Sequence, residues 1–195
     1  NMNSDNKCAN VEVYNSTLTR TAATNLSVAR YYPLTATIGS RVLFAGGTGN
    51  TITKVVDVYS TSLTRTAAAD LSRPTSGDAS TVVGNYAIFT SDGNTSCDVY
   101  NASLTKMTVT LLSVARVNMS AGTVGDYALF AGGGTNSPYS DVVDACDTSL
   151  TRTTVTTLDY PRSGLSSATV GDYLLFAGGR IDSENYSSDV FVYTA

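Results

Sequence analysis

Along most of this chain, apolar, aromatic and β-branched residues alternate with Ser, Thr and Asn in short runs, and Gly or Asn-Gly marks the breaks. A period of two sends alternate side chains to opposite faces of a strand, and no segment sustains the 3.6-residue period of an amphipathic helix. The pattern predicts four short strands per unit; in the second unit they fall at 32–38, 41–45, 54–59 and 63–68. Gly39-Ser40 joins the first two, and Gly84-Asn85, Gly125-Asp126 and Gly171-Asp172 stand in the corresponding places. Glycine there supplies the positive φ that a two-residue hairpin requires.

The units repeat in phase. Phe44, Phe89, Phe130 and Phe176 follow one another at 41 to 46 residues, and Leu18, Leu63, Leu104 and Leu150 keep the same spacing. Between them an acidic residue, an apolar residue and Tyr recur, as at Glu12 to Tyr14, Asp57 to Tyr59 and Asp98 to Tyr100. A period of this length, kept by two separate phrases, predicts a stacked or circular array in which no unit buries its apolar face alone. Four such units fill the 195 residues. The expected organisation is a short extension over 1–10 and one domain over 11–195, with unit boundaries near 30, 73, 116 and 162. The expected fold is all-β, a β-propeller of four-stranded antiparallel blades.

At these residues the chain resembles the kelch repeat family. The match is an apolar strand, Gly-x-Tyr, a second apolar strand, Gly-Gly as at Gly46-Gly47, Gly132-Gly133 and Gly178-Gly179, then the apolar-Asp-x-Tyr strand. An Arg leads into the first strand of each unit: Arg30, Arg73, Arg116 and Arg162. The fourth strand departs from the family, carrying Leu-Thr-(Arg/Lys) where kelch repeats usually have Trp, as in divergent kelch-like arrays of bacterial and phage-associated proteins. The chain starts in a third strand and ends in another, so it holds five third strands against four of every other kind. A compact four-bladed ring, with the amino-terminal strand completing the last blade, accounts for the surplus. A dimeric eight-bladed ring is the alternative, because bare edges and apolar blade faces are avoided in soluble proteins.

Composition narrows the partners. Charged residues make up 14%, against roughly 25% in ordinary domains, and the net charge is −4 with no Lys/Arg cluster. Nucleic acid is therefore not an expected partner, and no apolar run approaches the roughly 20 residues of a membrane-spanning helix. The three cysteines form neither a metal spacing nor a disulfide framework and read as buried thiols. There is no histidine. That removes Ser-His-Asp and Cys-His nucleophilic sites and His-ligated zinc, along with the histidine ligands that copper radical oxidases of the kelch type need. No cofactor or metal is expected; the 91–94 stretch lacks the acidic spacing of an EF-hand loop.

Asp57, Asp98 and Asp144 recur on the third strand and the four arginines before the first. Groups repeated in every unit are architectural, because a catalytic site needs its groups once. The loops between second and third strands differ from unit to unit, and all leave the array on one face. They carry Asn50, Asp92, Asn94, Tyr139, Arg180, Asp182, Glu184 and Tyr186. A regular frame with varied loops predicts a non-enzymatic scaffold that binds a protein or glycan there, at a cell surface, outside the cell or on a virion. The alternatives are a self-assembling structural module and, more distantly, a carboxylate-dependent glycan hydrolase or lyase using Asp182 or Glu184.

Overall fold

The computed structural model describes residues 8–134 and 138–195, and among them the fold is all-β with no helix. β1 (Glu12–Tyr14) and β2 (Arg20–Ala22) form a two-stranded sheet. Sheet I follows, built of β3 (Leu34–Ile38), β4 (Arg41–Ala45), β5 (Val56–Ser60) and β6 (Arg65–Ala67). Sheet II comprises β7 (Ser80–Val83), β8 (Tyr86–Phe89), β9 (Ser96–Asn101) and β10 (Lys106–Thr110). Sheet III comprises β11 (Ser120–Val124), β12 (Tyr127–Ala131), β13 (Val143–Asp147) and β14 (Arg152–Thr154). Sheet IV has three strands, β15 (Ser166–Val170), β16 (Tyr173–Ala177) and β17 (Val190–Thr194). Every sheet runs antiparallel in chain order, as four short strands joined by tight turns dictate. The five third strands expected from the sequence are present as β1, β5, β9, β13 and β17.

The sheets stack, and the core lies between them rather than within any one. Leu34, Ala36 and Leu43 of sheet I share a buried cluster with Phe89 and Tyr100 of sheet II. Ile88 and Val99 on the opposite face of sheet II meet Phe130 and Cys146 of sheet III, and Leu129 and Val143 of sheet III meet Leu174 and Phe176 of sheet IV. Sheets II and III therefore bury both pleat faces against different neighbours, which is why their strands are apolar on both sides. Hydroxyls lock the row of first strands: Ser80 donates to the Thr35 carbonyl, Ser167 to that of Ala121 and Thr169 to that of Thr123, at 2.7–2.9 Å.

The expected four-bladed closure is not found among the described residues. β1 pairs with β2 alone, β17 has a partner only in β16, and β3 makes no packing with β15 comparable to that between consecutive first strands. The amino-terminal strand forms a separate hairpin with β2 instead of completing sheet IV.

The third-strand aspartates anchor the connections between sheets. Asp57 accepts from the Ser27 backbone and hydroxyl at 3.0 Å and pairs with Arg30 at 2.9 Å and Arg65 at 3.0 Å. Burial, the largest influence, pushes this carboxyl up, but the Ser27 bonds with Arg65 and Arg30 outweigh it and hold it below its ordinary value. Asp144 repeats the arrangement with Ser113, Arg116 at 2.9 Å and Arg152. Asp98 takes Ser72 and Lys106. The arginine expected there, Arg73, is displaced: the chain through Pro74 places buried Thr75 in the slot and leaves Arg73 exposed. In sheet IV the register puts Phe191 where the others have Asp, and Arg162 lies over its ring. Cys97 and Cys146 are buried thiols, each pushed by burial up to about 12, while Cys8 is exposed.

The hairpin between third and fourth strands holds a leucine at positive φ in every copy: Leu18 (59°), Leu63 (60°), Leu104 (63°) and Leu150 (62°). Its amide donates to the carbonyl three residues back, and Asn15, Asn101 and Asp147 side chains accept the amides two and four residues on. A left-handed leucine costs roughly 1–2 kcal/mol. The cost is offset where the side chain reaches a core, as Leu104 and Leu150 do between sheets I and II and between II and III.

Candidate functional site

The second-to-third-strand loops and the connections entering the first strands emerge at the same end of the sheets, and between sheets III and IV they enclose an open cleft of about 590 Å³. Glycines let the two sets of backbone meet. Gly133, at φ +112°, has no room for a Cβ, which would stand 2.6 Å from the Val117 carbonyl; the amides of Gly133 and Gly134 donate to Arg162 and Val117. The Ser163 hydroxyl donates to the Gly134 carbonyl at 2.6 Å and the Gly164 amide to that of Asn118 at 3.0 Å, which closes the floor.

Tyr139 comes from the sheet III side, Arg180 and Tyr186 from the sheet IV side, with Asn118 and Ser163 between. The Arg180 guanidinium lies 5.8 Å from the Tyr186 ring centroid and donates to the Ser183 carbonyl at 2.6 Å. Tyr186 is 72% exposed, so its ring is open to a ligand. Asp182 fixes the loop from within: its carboxylate accepts the Asn185 side-chain amide and the Glu184 and Asn185 backbone amides at 2.8–3.0 Å. Those bonds, the Asn185 side chain first, hold its carboxyl below the ordinary value. Among the described residues the cleft wall has one cation, Arg180, and no carboxylate, in a chain whose net charge is −4.

Of the eight loop residues expected at a binding face, three meet in this cleft. Asp92 joins Tyr139 on the wall of a second open cleft, about 600 Å³, between sheets II and III. Asn94 caps its own turn, accepting the Ser96 amide, and Asn50 and Glu184 are exposed outside both clefts. Residues 135–137 of the third loop lie outside the described residues. Asn118 and Ser163 went unnoticed in the sequence because they precede the first strand, where repeats were read as frame. The sequence signal was the Gly or Asn at Gly77, Asn118 and Gly164, one place in the repeat shared with Tyr32, where all four have positive φ. At that place on sheet I, Tyr31 and Tyr32 stand edge to face at 5.0 Å, both exposed.

A further hollow, about 600 Å³, lies between β14 and β17 and is lined by Val155, Phe191 and Tyr193. Sheet IV has no fourth strand and brings no leucine to fill this space as Leu104 and Leu150 do for the preceding pairs.

No protein-family model and no curated protein matches the sequence. Among solved structures the chain is similar to YjhT, with a TM-score of 0.74 and 14% identity, over 100% of this chain and 76% of that one. The likeness is one of fold.

Proposed function

We propose that this chain is a kelch-like β-propeller array acting as a non-enzymatic binding module, and that its ligand is a glycan held in the cleft between sheets III and IV. The observation that carries the reading is the meeting of Tyr139, Arg180 and Tyr186, from the most variable loops of the repeat, around a polar floor of Asn118 and Ser163. Tyrosine faces stack on the apolar faces of sugar rings, and their hydroxyls reach the sugar hydroxyls at little cost in side-chain entropy. Arg180, the one cation on a wall without carboxylates, favours a sugar bearing a carboxylate or sulfate group over a neutral one. The loop is set in advance by Asp182 and Asn185, so binding orders little.

The site offers no pair of carboxylates to share acid and base roles, because Asp182 is engaged by its own loop and Glu184 lies outside the cleft. The test is a screen of immobilised neutral, uronate-containing and sulfated oligosaccharides with the wild type and with Tyr186→Ala. Retention that Tyr186→Ala weakens at least roughly tenfold supports the reading. No retention of any sugar removes it.

A further inference from the structure

The loop end of the junction between sheets I and II has the same backbone frame as the cleft between sheets III and IV. The Gly77 amide donates to the Tyr32 carbonyl at 3.1 Å, as that of Gly164 does to Asn118 at 3.0 Å. Ser76 meets the Thr48 hydroxyl at 2.8 Å where Ser163 meets the Gly134 carbonyl at 2.6 Å. Thr48 forms isolated antiparallel bridges with Tyr31 and Ile52, as Arg180 does with Ser163 and Tyr186. The frame is shared, but the side chains it presents are not. Sheet I has Thr48 where sheet IV has Arg180, and Tyr32 where sheet III has Asn118.

Tyr32 is held in this place against its own preference. Its φ is 52°, in a position where Gly77, Asn118 and Gly164 have 55–69°. Glycine is free there and asparagine tolerates it, whereas a bulky side chain is an outlier. Leu104 and Leu150 recover such strain by reaching a core, but Tyr32 is 69% exposed and Tyr31 meets it edge to face at 5.0 Å. A Cβ on Gly77 of the next connection would stand 3.9 Å from the Tyr32 Cβ, so this tyrosine sits at a joint between two described sheets. Strain that packing does not recover gathers at positions that hold ligands.

We infer that Tyr32, with the Thr48 and Ser76 hydroxyls beside it, is a second carbohydrate site, and that it takes an uncharged sugar ring. The tyrosine ring offers a face for the apolar face of a sugar. Ser76 accepts the Thr48 bond, so its own proton remains to be donated to a sugar oxygen. None of these side chains is charged, and Asp78, next to Gly77, has both carboxyl oxygens closed off from water. With threonine in the place of Arg180, a carboxylate or sulfate on the sugar gains nothing here. A glycan long enough to engage this site and the cleft together would bind more tightly than either site alone, because the second contact becomes intramolecular. The site stands on residues separate from those of the cleft, so either can fail while the other holds.

The test is a titration of the isotope-labelled 195-residue chain, followed by amide chemical shifts, with neutral oligosaccharides of glucose, galactose, mannose and N-acetylglucosamine. With at least one of them, saturable shifts are expected at Tyr32, Thr48, Ser76 and Gly77, and they should persist in Tyr186→Ala. Tyr32→Gly should weaken this binding at least roughly tenfold. It should also unfold at a temperature no lower than that of the wild type, because glycine already occupies the same place at Gly77 and Gly164. Shifts confined to Asn118, Ser163, Arg180 and Tyr186, or no saturable shift with any of the sugars, would overturn the second site. So would a Tyr32→Gly variant that binds as well as the wild type, or one that unfolds at a lower temperature and so shows the ring to be a structural prop.

Discussion

The guanidinium of Arg162 lies 4.5 Å above the ring centroid of Phe191, at the place where the equivalent Arg116 meets Asp144 at 2.9 Å. One repeat position thus carries two kinds of interaction. Arg116 and Asp144 are both shut away from solvent, so deleting the cation leaves the buried anion only the longer Arg152 contact and Ser113. Arg162 also pairs with Asp189, but that carboxylate is 55% exposed and water serves it. Arg116→Met is expected to cost about 3 kcal/mol, the low end for a broken buried pair because Arg152 and Ser113 remain on Asp144. Arg162→Met is expected to cost about 1–2 kcal/mol, from the lost ring contact and hydrogen bonds. Urea unfolding of the two variants side by side checks the order.

Asp78 gives the fold a pH dependence. Both its carboxyl oxygens are closed off from water and unmet by a hydrogen bond among the described residues, and burial first, then the charge of Asp92, push it up to about 6. A carboxyl whose folded value is raised contributes its stability below the unfolded value near 4 and loses it as pH rises through 6. At pH 7 the ionised, buried form costs about 3 kcal/mol by that linkage. Asp78→Asn should therefore stabilise the protein by about 2–3 kcal/mol at pH 7 and change little at pH 4, as thermal unfolding at the two pH values would register. Asp57, held below its ordinary value, acts with the opposite sign and gives up its contribution on acidification.

Much of the frame was legible because it rests on local chemistry. The Gly-x pairs marked the hairpins, the phenylalanines and leucines set the repeat, and sheet I's strands fall within two residues of their expected starts. Arg73 misled because it was matched by residue type: it lies 43 residues from both Arg30 and Arg116 where the leucines keep 45 and 41, and that spacing puts Thr75, buried in the fold, in the arginine's slot. Closure misled for a different reason: whether β1 pairs with β17 depends on how successive sheets turn, which no residue specifies alone. At the candidate site the variable loops identified Tyr139, Arg180 and Tyr186, but nothing in the sequence announced that Asn185 would take up the Asp182 carboxylate.

The left-handed leucines predict opposite outcomes for one substitution. Leu104→Gly relieves backbone strain but empties a place in the core between sheets I and II, for a net loss of about 1–3 kcal/mol. Leu18→Gly relieves the same strain at an exposed position and should stabilise its hairpin by about 1 kcal/mol in dilute solution. Unfolding of the first and amide exchange in residues 12–22 of the second give the two signs.

Arg180 should discriminate among ligands more than it contributes to the fold, since it is exposed and its Ser183 contact lies within its own loop. Arg180→Ala is expected to lower affinity for anionic sugars about tenfold or more, to leave neutral sugars within about threefold, and to flatten the salt dependence of binding. Titration calorimetry at two ionic strengths separates these effects.

The most direct measurement is a binding titration of the best-retained oligosaccharide against wild type, Tyr139→Ala and Tyr186→Ala, with folding checked by circular dichroism. Saturable binding that both tyrosine variants weaken without loss of structure is the predicted result. Binding that survives both substitutions unchanged would contradict the placement of the site between sheets III and IV.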